Sequence, residues 1–280
     1  MSKKSYKAEV FAKINLSLEI VGKDHDLHAL KMLVCPYGGF SDVVEFIPDE
    51  NEVISDIEAY ASFRGFDEAR FCDFFLPKAQ AIANRLGVGG KLIINKGVPL
   101  GAGLGGSSAS VVAALKAMCE CARGLGKSIA LDDGFLLKLG SDVPCMLYGK
   151  CCIVEGVGEI VRPVEIPLDL ISDLSVEIAE GGSDTKACYA LYDKLKANDE
   201  NINTSVCFGE HSIERAEAVG GYESFKIGGE RINVYKNDLT LPAAILNENI
   251  KNLICDLRKT YKTVFLSGSG SAVVFKTNKM

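Results

Sequence analysis

Histidine is scarce: His25, His28 and His211 are the only three in 280 residues. The ten cysteines do not make up for this, because Cys119 and Cys121 lack the paired spacing of a zinc site. No apolar run is long enough to cross a bilayer, and there are no internal repeats or low-complexity tracts. Basic residues are outnumbered, with 31 Lys and Arg against 37 Asp and Glu and a net charge of −6. Nucleic-acid backbone binders usually carry a basic face, so no nucleic acid is expected as partner. A secretory leader is also not expected, since Met1-Ser2-Lys3-Lys4 runs straight into a strand pattern. The cysteines sit mostly among apolar residues, as at Cys145, Cys151 and Cys152. They are expected as buried thiols in a reducing cytoplasm.

What is present is an ordinary globular composition, 48% hydrophobic and 24% charged, long enough for one large or two medium domains. Its most distinctive stretch runs from Val98 to Ser110 and packs four glycines into six positions, Gly101 to Gly106. The apolar run Lys91 to Ile94 before it reads as a strand, and a helical pattern follows. Glycines let main-chain N–H groups approach a ligand with no Cβ in the way. The helix start adds unpaired N–H groups and partial positive charge. Together they make an anion site. Ser107 and Ser108 are placed to cap the helix or to reach a phosphate or its Mg²⁺. A Walker loop is excluded, because Ser107 rather than lysine follows Gly106. Gly101, Gly103 and Gly106 match G-x-G-x-x-G, but Glu120 falls inside the helical pattern rather than at a strand end, and Pro99 separates strand from loop. Both argue against a dinucleotide site.

Along the chain, Tyr6 to Val21 reads as two strands. Lys13 and Asn15 share a face of the second, where lysine is ordinarily exposed. Lys23 to His28 is a polar loop, Leu30 to Pro36 is extended, and Asp42 to Phe46 is another strand. Phe66 to Leu86 has helical spacing stopped by Gly87, with a kink or restart expected at Pro77. The helix after the glycine loop buries Val111, Leu115, Met118 and Ala122 and ends at Gly124. A shorter helix spans Leu131 to Leu139. Gly140 and Pro144 then hold Asp142 on a turn before a strand at Cys145 to Tyr148, where an aspartate ordinarily caps local N–H groups. Glu155 to Glu159 punctuates a hairpin, and a domain boundary is placed near there. Beyond it come a strand at Leu174 to Ala179, a helix from Asp184 to Leu195 capped by Ser183, and a polar loop from Asn198 to Asn203. A helical region runs from Asn237 to Lys259, followed by two strands around Ser267 to Ser271. Strand hairpins alternating with helices give an α+β class.

The segment Pro99-Leu100-Gly101-Ala102-Gly103-Leu104-Gly105-Gly106-Ser107-Ser108 resembles the phosphate loop of the GHMP kinases. Ala12 to Leu16, Leu139 to Pro144, Glu155 to Glu159, Asn237 to Leu239 and Ser267 to Gly270 resemble, in the right order, the branch that phosphorylates the 2-hydroxyl of 4-diphosphocytidyl-2-C-methyl-D-erythritol in non-mevalonate isoprenoid synthesis. The resemblance implies an N-terminal ribosomal-protein-S5-like nucleotide-binding domain over 1–160 and a C-terminal ferredoxin-like domain over 161–280. It implies ATP and Mg²⁺, with Ser108 toward the metal and Pro99, Gly101, Gly103, Leu104, Gly105, Gly106, Ser107 and Ser108 around the nucleotide. Lys13 and Asp142 would be the catalytic pair, and Asn15 and His28 would contact cytidine. The enzyme would be cytoplasmic, a monomer or homodimer with a small-molecule substrate and no membrane partner.

Two positions depart from that branch. Leu27 and Val34 stand where aromatics are expected, so a cytidine slot needs a ring from elsewhere, with Tyr37 or Phe40 as candidates. The glycine loop is also closer to the general GHMP form. A kinase acting on homoserine, a sugar or a mevalonate-pathway acid, and a catalytically silent ligand sensor, are the alternative readings.

Overall fold

A computed structural model describes residues 4–25, 27–197 and 223–277; the polar loop expected at Asn198 to Asn203 lies outside them. In chain order, the first elements are β1 (Tyr6–Asp24), β2 (Leu27–Pro48), β3 (Ile54–Ala61), α1 (Glu68–Leu86), β4 (Gly90–Lys96) and α2 (Gly106–Gly124). Next come α3 (Asp133–Leu139), α4 (Val143–Tyr148), β5 (Cys152–Gly156), β6 (Ile160–Pro163) and β7 (Leu174–Ile178). The last are α5 (Thr185–Ala197), β8 (Glu223–Ile227), β9 (Glu230–Val234), α6 (Thr240–Leu246), α7 (Glu248–Arg258), β10 (Val264–Leu266) and β11 (Ala272–Lys276). No helix among the described residues is long and apolar enough to cross a membrane.

The N-terminal strands are longer than their sequence suggests. Tyr6 to Val21 lies in one strand, and the two extended runs between Leu30 and Phe46 lie in another. Residues 12–18 are buried on both faces, so the alternation that marks a half-buried strand is missing there. His25, at φ 52°, stands between the two strands.

The chain divides into two compact units. One holds residues up to Ala12, Pro36–Pro99 and Gly105–Gly149; the other holds Lys13–Cys35, Leu100–Leu104 and the chain from Lys150 on. In the first unit β2 pairs antiparallel with β4, Val43 opposite Asn95 through Pro48 opposite Gly90. β3 pairs parallel with β4, and α1 is the crossover between them. The α1 boundaries follow from its sequence. The Asp67 carboxylate accepts from the Arg70 amide, and Gly87 closes the other end at φ 62°. Phe71, Phe75, Ala79, Ile82 and Leu86 are all buried on one stripe. Pro77 lies on the exposed side of one continuous helix, so the chain does not restart there.

The expected stripe of α2 is buried, but so are Ala109, Ser110, Val112, Ala113, Ala114 and Ala117. A helix enclosed on nearly all sides needs small side chains, and α2 packs against α1, α4 and β4. The strand expected at Cys145 to Tyr148 is instead the helix α4. Pro144 falls in its first turn, where a missing N–H costs nothing, and Gly149 at φ 62° ends it.

In the second unit β2 pairs with β5, Leu30 opposite Gly156 through Val34 opposite Cys152, and β5 turns back into β6 as the hairpin expected around Glu155 to Glu159. β7, β11 and β10 form an antiparallel sheet. α7 lies against β10 and β11 and buries Ile250, Ile254 and Leu257. The helical region after Asn237 is two helices, split at Asn247, whose extended backbone ends α6 and whose side chain caps α7 through the Asn249 amide. α5 is capped by Asp184, which accepts from the Ala187 amide, rather than by Ser183. The Ser183 hydroxyl instead donates to Ser269 O.

The thiols are not uniformly buried. Cys35 and Cys152 are buried, and Cys151 is half-buried. A hydrogen bond from Cys35 lowers the Cys151 pKa, while burial pushes Cys152 up to about 11. A lowered pKa means more thiolate. Brief iodoacetamide treatment of the native protein at pH 8 is expected to label Cys151 before Cys152. Fragment-ion mass spectrometry separates the two, and equal labelling would contradict the assignment.

Candidate active site

The glycine loop has a regular backbone. Gly101, Gly103 and Gly105 have φ of 68°, 77° and 73°, a left-handed conformation that costs other residues about 1–2 kcal/mol. Ala102 and Leu104 alternate with them, and such alternation forms an anion-binding nest of main-chain amides. Three carbonyls in the middle of this stretch are held inside the protein. Ala102 O accepts from Ala272 N at 2.9 Å, and Leu104 O from Lys13 N at 3.0 Å. Gly103 O accepts from Ser267 Oγ at 3.0 Å. A trans peptide is planar, with its C=O and N–H on opposite sides. Pinning these three carbonyls therefore turns the amides of Gly103, Leu104 and Gly105 the other way. Among the described residues none of those amides donates to a protein acceptor. A Cβ on Gly101 would meet nothing within 4 Å, so the bend is open. A phosphate group fits these residues.

Lys13 is 6% exposed, unlike an ordinary strand lysine, and its ammonium donates to Asn15 Oδ1 at 2.6 Å. The Asn15 amide nitrogen faces Met32 Sδ at 3.2 Å, and its backbone N–H donates to Ser267 Oγ at 3.1 Å. Ser267 thus ties β1 to Gly103. Its own loop is held by Asn237, whose Nδ2 donates to Leu266 O and Gly268 O, at 2.8 and 2.7 Å, and whose Oδ1 accepts from Leu239 N. Asn237→Ala leaves these groups without that partner. It is expected to cost about 2–3 kcal/mol, read as a lower urea midpoint at unchanged m-value.

Ser107 and Ser108 do not cap α2. The helix begins at Gly106 with Gly105 as its cap residue and no side-chain capping bond, which places both serines inside the first turn. Ser108 is buried, and a Cβ on Gly140 would stand 3.1 Å from its hydroxyl. The start of α2 therefore abuts the turn that carries Asp142. Asp142 is the cap residue of α4, and its carboxylate makes no capping bond to that helix. The buried Ser108 hydroxyl is an oxygen donor of the kind that would suit Mg²⁺.

His28 stacks on Tyr189, with ring centroids 4.6 Å apart and planes 23° apart, and meets Tyr192 edge-on at 6.2 Å. His28 Nε2 lies 2.8 Å from Asp193 Oδ1, and Lys23 Nζ 2.8 Å from Oδ2. Hydrogen bonds from Lys23 and His28 hold the Asp193 carboxyl below its ordinary value. Leu27 is exposed and Val34 belongs to the core; the rings at His28 come from α5. Tyr37 and Phe40 pack on each other at 6.0 Å. Tyr189, Tyr192 and Asp193 escape a sequence reading, although the spacing i, i+3, i+4 puts them on one helix face.

Residues 74–150 match the family described as GHMP kinases N terminal domain. Over 273 residues the chain is 30% identical to the 4-diphosphocytidyl-2-C-methyl-D-erythritol kinase of Prochlorococcus marinus subsp. pastoris, covering 93% of this chain and 81% of that protein. It is 29% identical over 271 residues to the enzyme of the same name from Thermosipho africanus, covering 94% and 87%. A crystal structure of a 4-(cytidine 5′-diphospho)-2C-methyl-D-erythritol kinase has the same fold, with TM-score 0.65 at 23% identity over 97% of this chain and 90% of that one. The α+β architecture is thus that of the two-domain GHMP kinases, and the chain belongs to the 4-diphosphocytidyl-2-C-methyl-D-erythritol kinase family.

Proposed function

We propose that the chain transfers the γ-phosphoryl group of ATP to the 2-hydroxyl of 4-diphosphocytidyl-2-C-methyl-D-erythritol, as the names of its relatives suggest. The observation that carries this reading is the outward-turned amide nest from Gly101 to Gly105, whose carbonyls are pinned partly by the strand bearing Lys13. Phosphoryl transfer asks for positioning and charge compensation more than covalent help. The nest and the first turn of α2, from Pro99 to Ser108, hold the nucleotide phosphates. Asp142 takes the proton of the attacking hydroxyl. Lys13 offsets charge on the transferring group. Mg²⁺ on Ser108 would neutralise charge on the phosphates. Asn15 and His28 face the cytidine. We assign the family's two domains to 1–160 and 161–280. We place the enzyme in the cytoplasm as a monomer or homodimer, with neither nucleic acid nor membrane as partner.

An ADP-release assay with the cytidylyl methylerythritol, homoserine, mevalonate and galactose tests the reading. Turnover is expected on the first alone. Turnover only on another acceptor would reassign the substrate, and none on any would favour a ligand sensor. Within this reading Tyr189 supplies the ring absent at Leu27 and Val34. Base stacking contributes about 1–3 kcal/mol, so Tyr189→Ala is expected to raise the acceptor KM roughly tenfold with the ATP KM unchanged. An unchanged acceptor KM would place the base elsewhere.

A further inference from the structure

Asp42 and Lys96 form a fully enclosed ion pair in the first unit, each side chain 0% exposed. The carboxylate takes four donors. Oδ2 accepts from Lys96 Nζ at 2.5 Å and from Ser110 Oγ at 2.6 Å. Oδ1 accepts from the amides of Gly97 and Val98 at 3.0 and 2.9 Å. Lys96 Nζ also donates to Gly106 O at 2.6 Å. These partners are not scattered. Lys96 is the last residue of β4, Gly97 and Val98 lead into the glycine loop, Gly106 opens α2, and Ser110 stands one turn further along it. A single carboxylate therefore holds both ends of the loop.

We propose that Asp42 and Lys96 are positioning residues for nucleotide binding, fixing the entry and exit of the phosphate loop so that its amides are aimed before the ligand arrives. The proposal rests on the kinase reading and deepens it. Its physical core is the peptide between Gly106 and Ser107. The Lys96 ammonium fixes the Gly106 carbonyl, and so fixes the Ser107 N–H on the far side of the same plane, which the helix already directs toward the anion side of its start. The ammonium charge is balanced by Asp42, so the pair contributes placement rather than a field at the phosphate. Stability alone does not account for it, since apolar side chains of similar volume commonly do as well as a buried ion pair.

The test is the double variant Asp42→Asn with Lys96→Met, which removes both charges and leaves no unpaired ion. Ser110→Ala is made beside it and removes only one donor from the carboxylate. Calorimetry gives the Kd for ADP, steady-state assays give the KM for ATP and for the acceptor, and thermal melting reports folding. The folded double variant is expected to bind ADP at least about tenfold more weakly, because small misplacements of binding groups are costly. Its acceptor KM should stay within about twofold of the wild-type value, since the loop serves the nucleotide. Ser110→Ala is expected to weaken ADP binding about threefold. Wild-type ADP affinity in the folded double variant overturns the proposal, as does an equal loss for both substrates. If the double variant does not fold, wild-type affinity in Ser110→Ala overturns it. A wild-type chain that binds neither ADP nor ATP overturns the kinase reading itself. Nucleotide binding with no turnover on any acceptor leaves the loop assignment standing and removes only the acceptor.

Discussion

Asp142→Asn is expected to lower kcat by about a thousandfold or more, at the upper end of what one general base supplies, with ADP affinity kept within about twofold. Asparagine has nearly the shape of aspartate, and the Asp142 side chain makes no capping bond to α4, so no cap of that helix is lost when the carboxylate goes. Val143 N is already bonded to Gly140 O, and Met146 N to Asp142 O, so the turn is held by main chain. What changes is proton affinity, since an amide oxygen cannot take up the proton of an attacking hydroxyl at neutral pH. The measurement is kcat under saturating ATP and acceptor, with calorimetric ADP binding as control. A variant with ordinary turnover would remove Asp142 from the mechanism. A variant that lost ADP binding as well would make it a structural residue of the turn.

The parts of the fold legible in the sequence were those written locally. Gly87 closes α1 in three-dimensional fact as in pattern, and the spacing of Gly101, Gly103 and Gly105 corresponds to three left-handed residues. Elements decided by longer-range burial were less legible. Cys145 to Tyr148 is an apolar run too short to show a period, and either a strand or a helix could bury it; Pro144 in the first turn fits the helix. Ser183 is the cap expected from sequence, but its hydroxyl is drawn to Ser269 O, and Asp184 caps α5 instead. The enclosed partners were not legible at all. A lysine at a strand end reads as solvated by default, yet Lys96 is fully buried because Asp42, 54 residues earlier, neutralises it. Tyr189 and Asp193 reach His28 from more than 160 residues away, and no local pattern encodes that pairing. The glycine loop follows the same rule: its glycines can be named from sequence, whereas Ser267 and Ala272, which pin its carbonyls, could only be seen folded.

Gly103→Ala is expected to produce the second large effect, and its contrast with Gly101→Ala separates structure from function in one loop. Both residues are left-handed, so alanine costs each about 1–2 kcal/mol of backbone strain. At Gly103 the new methyl group would also press into Ser267 O, deep inside van der Waals contact, and stand 3.1 Å from Gly270 N. Those are main-chain atoms held by Gly270 N→Ser267 O at 2.9 Å and Asn15 N→Ser267 Oγ at 3.1 Å, so no rotamer change relieves the overlap. The expected total is about 3–4 kcal/mol. In a chain of this size that is a fall in Tm of roughly 6–15 °C. The ATP KM should rise at least about tenfold, because the displaced carbonyl no longer aims the Leu104 amide. At Gly101 the methyl group would enter open space, so Tm should fall by only about 2–8 °C for the strain alone. If that open bend is where a phosphate lies, the ATP KM should still rise at least about tenfold, since a Cβ blocks close approach to the main chain. Differential scanning fluorimetry paired with ATP titration of both variants reads the two effects apart. Wild-type Tm and KM in Gly103→Ala would refute the packing of the loop against Ser267. An unchanged ATP KM in Gly101→Ala would mean that the nucleotide phosphates do not lie over that bend.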